Sequence, residues 1–472
     1  MRASAGPFAR RERNIGFADV AREPFPIRSP NPPPMRSPIA LAGTVRIAMP
    51  RAARVPSAIR RPMCAPPPSP ARRRRSVGAS RSMGVGASKS FCGADLMNDS
   101  FTPVHVDEPM PHRKVIRSWI TPFGQRVIAR SIVLLVVDYL LLFAAFAGAL
   151  LAPSSIVKIV CGMAAGFVTG RLFIIGHDAC HQSLTPNHRL NRWLGRIAFL
   201  PSLTPYSLWE VGHNVVHHGY TNLKGFDFVW APHTPDEFAA LSPTRRFLDR
   251  LYRSGWAPGL YYLVEIWWLR MYFPAKTYLG ASRPVFRRDC LLVTGFAAIW
   301  IGAVVRIAAA THQSTLLLLV AGVVVPFLFW CSMIGFVVYV HHTDPRISWH
   351  ANRTEWSRTA PFVSTTLHLT FPFGIGGLLH HIMEHTAHHV DMSIPLYGLK
   401  DAQAKLEAML PGRIVVQRFS WRWYFDTARR CKLYDIERKC WTDYLGRPTS
   451  DAHLRADAPM AEQRPIDAPH GA

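Results

Sequence analysis

The chain has 472 residues, is 49% hydrophobic and carries a formal net charge of +25 at pH 7. Its apolar residues are gathered into long runs, which points to membrane spans rather than to two or three soluble domains. The eight cysteines form no C-x-x-C pair, which argues against a disulfide framework or a cysteine zinc site, and basic charge without a groove-reading motif argues against a nucleic-acid partner.

Residues 1–96 carry eighteen Lys and Arg against four Asp and Glu, and fifteen of the 39 prolines. Runs such as Pro32-Pro33-Pro34 and Arg72-Arg73-Arg74-Arg75, with no sustained apolar period, read as a disordered Arg/Pro-rich extension. A targeting segment is one alternative, since such peptides are Arg-rich and acid-poor, but the prolines oppose the amphipathic helix they need. A start of translation at Met97, where the composition changes, is another. The main domain is expected over 113–448.

Arg113 to Arg130 forms a basic lead-in. A first span is expected at 132–151, long enough to cross a bilayer core, with Asp138 as its one charge. Pro153-Ser154-Ser155 turns the chain, and a second span follows at 159–175, with Lys158 at its start and Arg171 near its end. Trp256 to Pro274, which includes Glu265 and Arg270, reads as an interfacial amphipathic helix. Spans three and four are expected at 290–310 and 316–340, with Pro326 as a kink. Asp401 to Met409 reads as a short helix, Trp421 to Tyr424 as an interfacial anchor or a packed aromatic patch, and 449–472 as a disordered tail.

The pattern predicts an all-α integral membrane protein with four transmembrane helices in two hairpins. The segments before span one, between spans two and three, and after span four then share one side, where they form a helical cap. Arg189, Arg192, Arg196, Lys276, Arg283, Arg287, Arg288, Arg346, Arg353 and Arg358 crowd that side, while the other has little beyond Lys158 and Arg306. The positive-inside rule makes the cap cytoplasmic.

Three histidine clusters fall on the cap side, each after a span or within the cap. His177 and His181 are spaced H-x-x-x-H at the end of span two. His213, His217 and His218 form H-x-x-x-H-H. His385, His388 and His389 form H-x-x-H-H and close the stretch His380–His389, half of which is histidine. Positions i, i+3 and i+4 share one helix face, so each cluster can direct imidazoles at one place, and neutral imidazole is a good ligand for transition metals. With His342 at the end of span four there are nine imidazoles, more than one ion needs and suited to two. Asp178 and Glu384 are candidates to orient imidazole N–H groups, and His381, one turn before His385, is a further outer candidate. His188, His233, His350 and His368 have no helical partner at ligand spacing.

With these three boxes around two hairpins, the chain resembles the membrane fatty acid desaturases over roughly Arg113 to Leu399. The likeness includes Gly176-His177-Asp178, Thr204-Pro205-Tyr206, His218-Gly219-Tyr220-Thr221-Asn222, His341-His342-Thr343-Asp344-Pro345 and Pro395-Leu396-Tyr397. It is strongest to bacterial acyl-lipid desaturases. The resemblance implies a di-iron centre whose ligands are the box histidines and His342, with O2 as co-substrate. Some relatives carry Asn four residues before the extra histidine, where this chain has Val338. That departure bears on how full one iron's shell is.

The expected reaction is O2-dependent insertion of a double bond into an acyl chain, in lipid metabolism, at the bacterial inner membrane with a cytoplasmic catalytic face. The acyl chain is expected in an apolar tunnel lined by the ends of spans two and four. Electrons must come from an external ferredoxin or cytochrome with its reductase, because the chain has no haem-binding H-P-G-G, no cysteine cluster and no G-x-G-x-x-G after a strand. Hydroxylation or ketolation by the same superfamily is the alternative chemistry. A metal-binding transporter is the alternative class, but transport would place ionisable groups inside the spans, and these hold mainly Asp138 and Arg171.

Overall fold

The computed structural model describes residues 102–274 and 283–453. The expected extension over 1–96, Lys276 and the chain beyond 453 lie outside the described residues. After α1 (Arg113–Ile120), four long helices are apolar enough to cross a membrane: α2 (Ile128–Leu151), α3 (Ser155–Cys180), α6 (Pro284–Ala310) and α7 (Thr315–His342). Each extends past the apolar run that announced it. Residue Ser154 stops the first hairpin turn and starts α3, its hydroxyl accepting from Val157 N.

α3 is the central element, buried along most of its length, whereas α2 and α6 expose Val133, Leu140, Phe143 and Ile299. Apolar side chains without a polar face are what a lipid-facing helix presents. A glycine stripe lets α3 and α7 approach closely: a Cβ at Gly166 would lie 2.6 Å from Pro326 O, and one at Gly162 would meet Ala321 O. This contact brings the cap-side end of α3 beside that of α7. Ahead of Pro326, α7 widens into a π-helical stretch, Val320–Val324, so the expected kink is a local change of winding.

The cap is built from α4 (His188–Phe199), α5 (Tyr206–Glu210), several short helices, α8 (His385–Val390), α9 (Leu399–Met409) and α10 (Trp421–Arg430). The expected interfacial helix after Trp256 is Pro258–Tyr261 followed by a π-helical Tyr262–Tyr272. It buries Tyr262, Ile266, Trp267 and Met271 and exposes Trp268 and Leu269. The all-α pattern is interrupted by two short ladders. Leu367–Thr370 (β1) pairs in parallel with Val415–Arg418 (β2), and Leu433–Asp435 (β3) pairs antiparallel with Cys440–Thr442 (β4). Trp423 donates to Asp344 Oδ2 (3.1 Å) and Tyr424 is buried, while Trp421 stays exposed. The stretch expected as tail from 449 is ordered at its start: Thr449 N donates to Trp441 O (2.8 Å), and His453 bonds Pro345 O (2.8 Å).

Candidate metal centre

The three boxes reach the centre by three local routes. His177 lies in the last turn of α3 and His181 is its C-cap, so ordinary α-helical spacing puts both rings on one face. In the second box, α5 passes into a π-helical turn, Val211–His217, and His218 N bonds His213 O (2.9 Å). The wider turn aligns positions i and i+5. His213 therefore shares a group with His218, and His217 joins the other group. In the third box, α8 aligns His385 with His389 and turns His388 to the other side. The stretch His380–His389 is not one helix, because His380 (φ 49°) and His381 (φ 58°) are left-handed.

All nine expected histidines come together in two buried groups. One holds His177, His181, His213, His218 and His388. The other holds His217, His342, His385 and His389, with ligand atoms in each group within 4.8 Å of one another. In the first group, Nε2 atoms face each other at 2.8 Å (His177–His213), 3.2 Å (His177–His181), 3.1 Å (His213–His218) and 3.0 Å (His218–His388). In the second, His385 Nε2 lies 2.9 Å from His342 Nε2 and 3.0 Å from His389 Nε2.

Burial lowers the pKa of His181, His213, His218, His385, His388 and His389 well below the usual imidazole value, and neighbouring imidazoles push the same way. The rings are therefore neutral, the form that binds metals. Neutral rings whose unprotonated nitrogens converge without a shared proton repel one another. A cation at each focus relieves this, since nitrogens about 2.0–2.1 Å from a tetrahedral ion lie roughly 3.3 Å apart. The donor set thus fits two metal ions. Its imidazole-only character suits iron, copper or zinc rather than magnesium or calcium.

Outer contacts orient some rings. His217 Nδ1 donates to Asp227 (3.1 and 3.2 Å), His342 Nδ1 to Thr365 O (2.9 Å), and His389 Nδ1 lies 3.3 Å from Thr221 Oγ1. Sequence reasoning missed Asp227, which has no helical spacing to the box and is brought in by the loop after it. Asp178, which was expected, lies 3.4 Å from His177 Nδ1 and also accepts from Leu396 N (2.6 Å). His381 and Glu384 bond each other (2.9 Å), and neither side chain hydrogen-bonds a clustered imidazole among the described residues. That corrects their expected role: the left-handed backbone at His381 takes it off the α8 face. His341 directly precedes the expected ligand His342 in the last turn of α7. Its ring stacks on His385 with centroids 3.6 Å apart. His368 instead pairs with Glu407, and His233 with Glu237 and Asp249.

Beside both groups is a cavity of ≈ 30 Å³, walled by Trp209, Phe228, Ile266, Met271 and Val338 and floored by box histidines. The end of α7 contributes to it as expected, but the end of α3 does not. Its place is taken by the π-helical Tyr262–Tyr272. A larger apolar cavity of ≈ 550 Å³ opens among the membrane helices, and it includes Trp267, the neighbour of Ile266.

A family model described as fatty acid desaturase matches residues 153–421. The sn-1 oleoyl-lipid 12-desaturase of Picosynechococcus sp. is 31% identical over 289 residues, covering 57% of this chain and 76% of that protein. The chloroplastic omega-6 fatty acid desaturase of Glycine max is 28% identical over 274 residues, covering 57% of this chain and 61% of that protein. The sn-1 oleoyl-lipid 12-desaturase of Synechocystis sp. is 27% identical over 267 residues, covering 56% of this chain and 72% of that protein.

Proposed function

Because the chain belongs to the fatty acid desaturase family and is an oxidoreductase of that kind, we propose that it places a double bond in a lipid-linked acyl chain at a pair of iron ions, using O2. The observation that carries this reading is the division of nine buried histidines into groups of five and four. His177, His181, His213, His218 and His388 would hold one iron, and His217, His342, His385 and His389 the other. The bound irons would supply the oxidising power that an unactivated C–H bond demands and that no side-chain acid or base offers.

The chain's own residues do the rest. Trp209, Phe228, Ile266, Met271 and Val338 wall the cavity with apolar surface and leave a narrow slot against the imidazoles. A methylene pair lying in that slot is held close to both groups, which is positioning rather than acid–base chemistry. Ile266 borders this slot and Trp267 borders the larger membrane cavity, so one π-helical segment adjoins both. This supports entry of the acyl chain from the bilayer. Asp227 holds His217 in one tautomer, with Nδ1 protonated and Nε2 free for metal.

The substrate is a lipid-linked chain of the oleoyl kind named for the two cyanobacterial relatives. Electrons come from an external ferredoxin or cytochrome and its reductase, and the exposed Arg189, Arg192, Arg287, Arg288 and Arg353 on the cap side suit an acidic donor. The same arginines support a bacterial inner-membrane orientation with the cap in the cytoplasm.

The test is expression in a host with simple, oleate-containing lipids, followed by fatty-acid profiling with double-bond localisation. A new dienoic chain in the lipid fraction is expected. A product that gains oxygen instead of losing two hydrogens overturns the reading in favour of hydroxylation, and purified protein holding one zinc and no iron overturns the di-iron assignment.

A further inference from the structure

Among the described residues, the membrane helices hold a buried charged cluster, centred on Asp138, that touches neither histidine group. Asp138 lies ten residues into α2, about 15 Å along it at the usual helical rise, and is wholly buried. Arg171 of α3 donates twice to Asp138 Oδ1, from Nε (2.9 Å) and Nη2 (2.7 Å). His380 Nε2 donates to Asp138 Oδ2 (2.6 Å), and Arg171 Nη1 donates to Leu378 O (2.6 Å). Two membrane helices and the segment before the third box are thus fastened at one point.

That segment is strained and largely apolar. Phe373, Gly374, His380 and His381 all have positive φ, three of them at non-glycine residues beside exposed Phe373 and Leu378. A left-handed non-glycine residue is sterically strained and persists only where its surroundings hold it. Irregular backbone at membrane depth also needs its carbonyls satisfied, as Arg171 does for Leu378. From the fastening point the chain runs to Met383, whose sulfur lies 3.3 Å from His341 Nε2. It then reaches His385, whose ring is stacked on His341 and whose Nε2 faces His342. α2 gives no histidine to either group, and this is a hydrogen-bonded route from it to the second group.

We propose that Asp138, Arg171 and His380 are positioning residues: a latch that fixes the segment before the third box on α2 and α3, and so sets His385 in the second histidine group. The proposal rests on the reading of the two groups as metal sites. His388, on the opposite side of α8, joins a group already carrying four histidines from α3 and the second box. Releasing the latch therefore loosens the second group and spares the first.

The experiment uses full-length protein in detergent, comparing wild type with His380→Ala, His380→Gln and Asp138→Asn. Iron per chain, the Mössbauer spectrum after loading with ⁵⁷Fe, and turnover are read on monodisperse fractions. Wild type that holds no two-metal centre refutes the metal reading itself, separately from the latch. With that reading intact, His380→Ala should lose one iron environment selectively and drop turnover on the 10–100-fold scale seen for residues that orient ligands. His380→Gln, whose amide can still donate to Asp138, should keep both environments and most of the turnover. Asp138→Asn should resemble His380→Ala. Two unchanged iron environments in His380→Ala overturn the latch. Equal loss of both environments, or no rescue by glutamine, also overturns it and indicates a general folding role.

Discussion

The two histidine groups are held in place by different means. In the first, His177 and His181 come from one turn of α3, and the Nδ1 atoms of His181, His218 and His388 have no hydrogen-bond partner among the described residues. In the second, the four rings come from three elements, as do the five of the first, but three Nδ1 atoms are fixed by Asp227, Thr365 O and Thr221. The fourth, His385, has no Nδ1 partner among the described residues but is stacked on His341. Backbone winding aims the first group. Hydrogen bonds and the latch at Asp138 aim the second. Outer-contact variants should therefore differ in activity between the groups, while box-histidine variants should be equally inactive.

The largest effect is expected from the box histidines. His388→Ala should leave the first group with four histidines and a weakened site, His385→Ala should leave the second with three, and both should bring desaturation to the detection limit in a lipid-profiling assay. If both irons are needed, the two variants are equally inactive but differ in which iron environment survives. A His385→Ala variant with full desaturation would remove the third box from the centre.

Acid should act on both groups together. The six histidines with lowered pKa stay neutral in the fold, whereas in the unfolded chain they take up protons as pH falls through about 6.5. The unfolded state then binds more protons than the folded one, so stability is present above that pH and is lost below it, by at most about 1.4 kcal/mol per pH unit for each ring. Bound metal stabilises the neutral rings and is released in the same direction. Thermal unfolding should be nearly flat above pH 7 and fall steeply toward pH 5.5, with bound metal appearing in the filtrate over the same range. A midpoint that rises on acidification would contradict the buried neutral state.

Asp227→Asn comes next. It keeps the shape of the side chain but removes the carboxylate that His217 Nδ1 bonds at 3.1 Å. A 10–100-fold loss of affinity at the second group is expected, with the first retained. Asp178→Asn should do less, because His177 lies 3.4 Å away and is already set by its helix. Metal titration of the two variants side by side measures the contrast, and equal losses would erase it.

Much of this centre was legible in the sequence. Helical spacing and the apolar runs placed the ends of α3 and α7 together, and the nine histidines that resemblance and spacing proposed are the nine that converge. Their division between groups was not legible. It depends on the π-helical turn at Val211–His217, and one extra residue in a helical turn is fixed by packing rather than by composition. Trp209, one turn before His213, stacks on its ring (5.0 Å between centroids) and is part of that packing. Asp227 was missed for a related reason: a loop residue ten positions from His217 carries no periodic signal. His381 and Glu384 were expected beside the ligands because the stretch read as one helix, which the left-handed backbone at His380 and His381 breaks.

The smallest expected effect concerns the difference in ligand number. Val338 stands one turn before His342 and lines the slot beside His217, His342 and His385, on the side of the group with four imidazoles. Val338→Asn places a carbonyl oxygen there, a donor that a divalent ion accepts. The second group should then retain metal longer against a chelator, while the added polarity makes the slot less suited to a methylene chain. Turnover should change by less than about tenfold, or about 1.4 kcal/mol in barrier. Faster metal loss in Val338→Asn than in wild type would mean that the slot, not the metal shell, is what this position serves. The four-histidine group would then be complete without a fifth protein ligand.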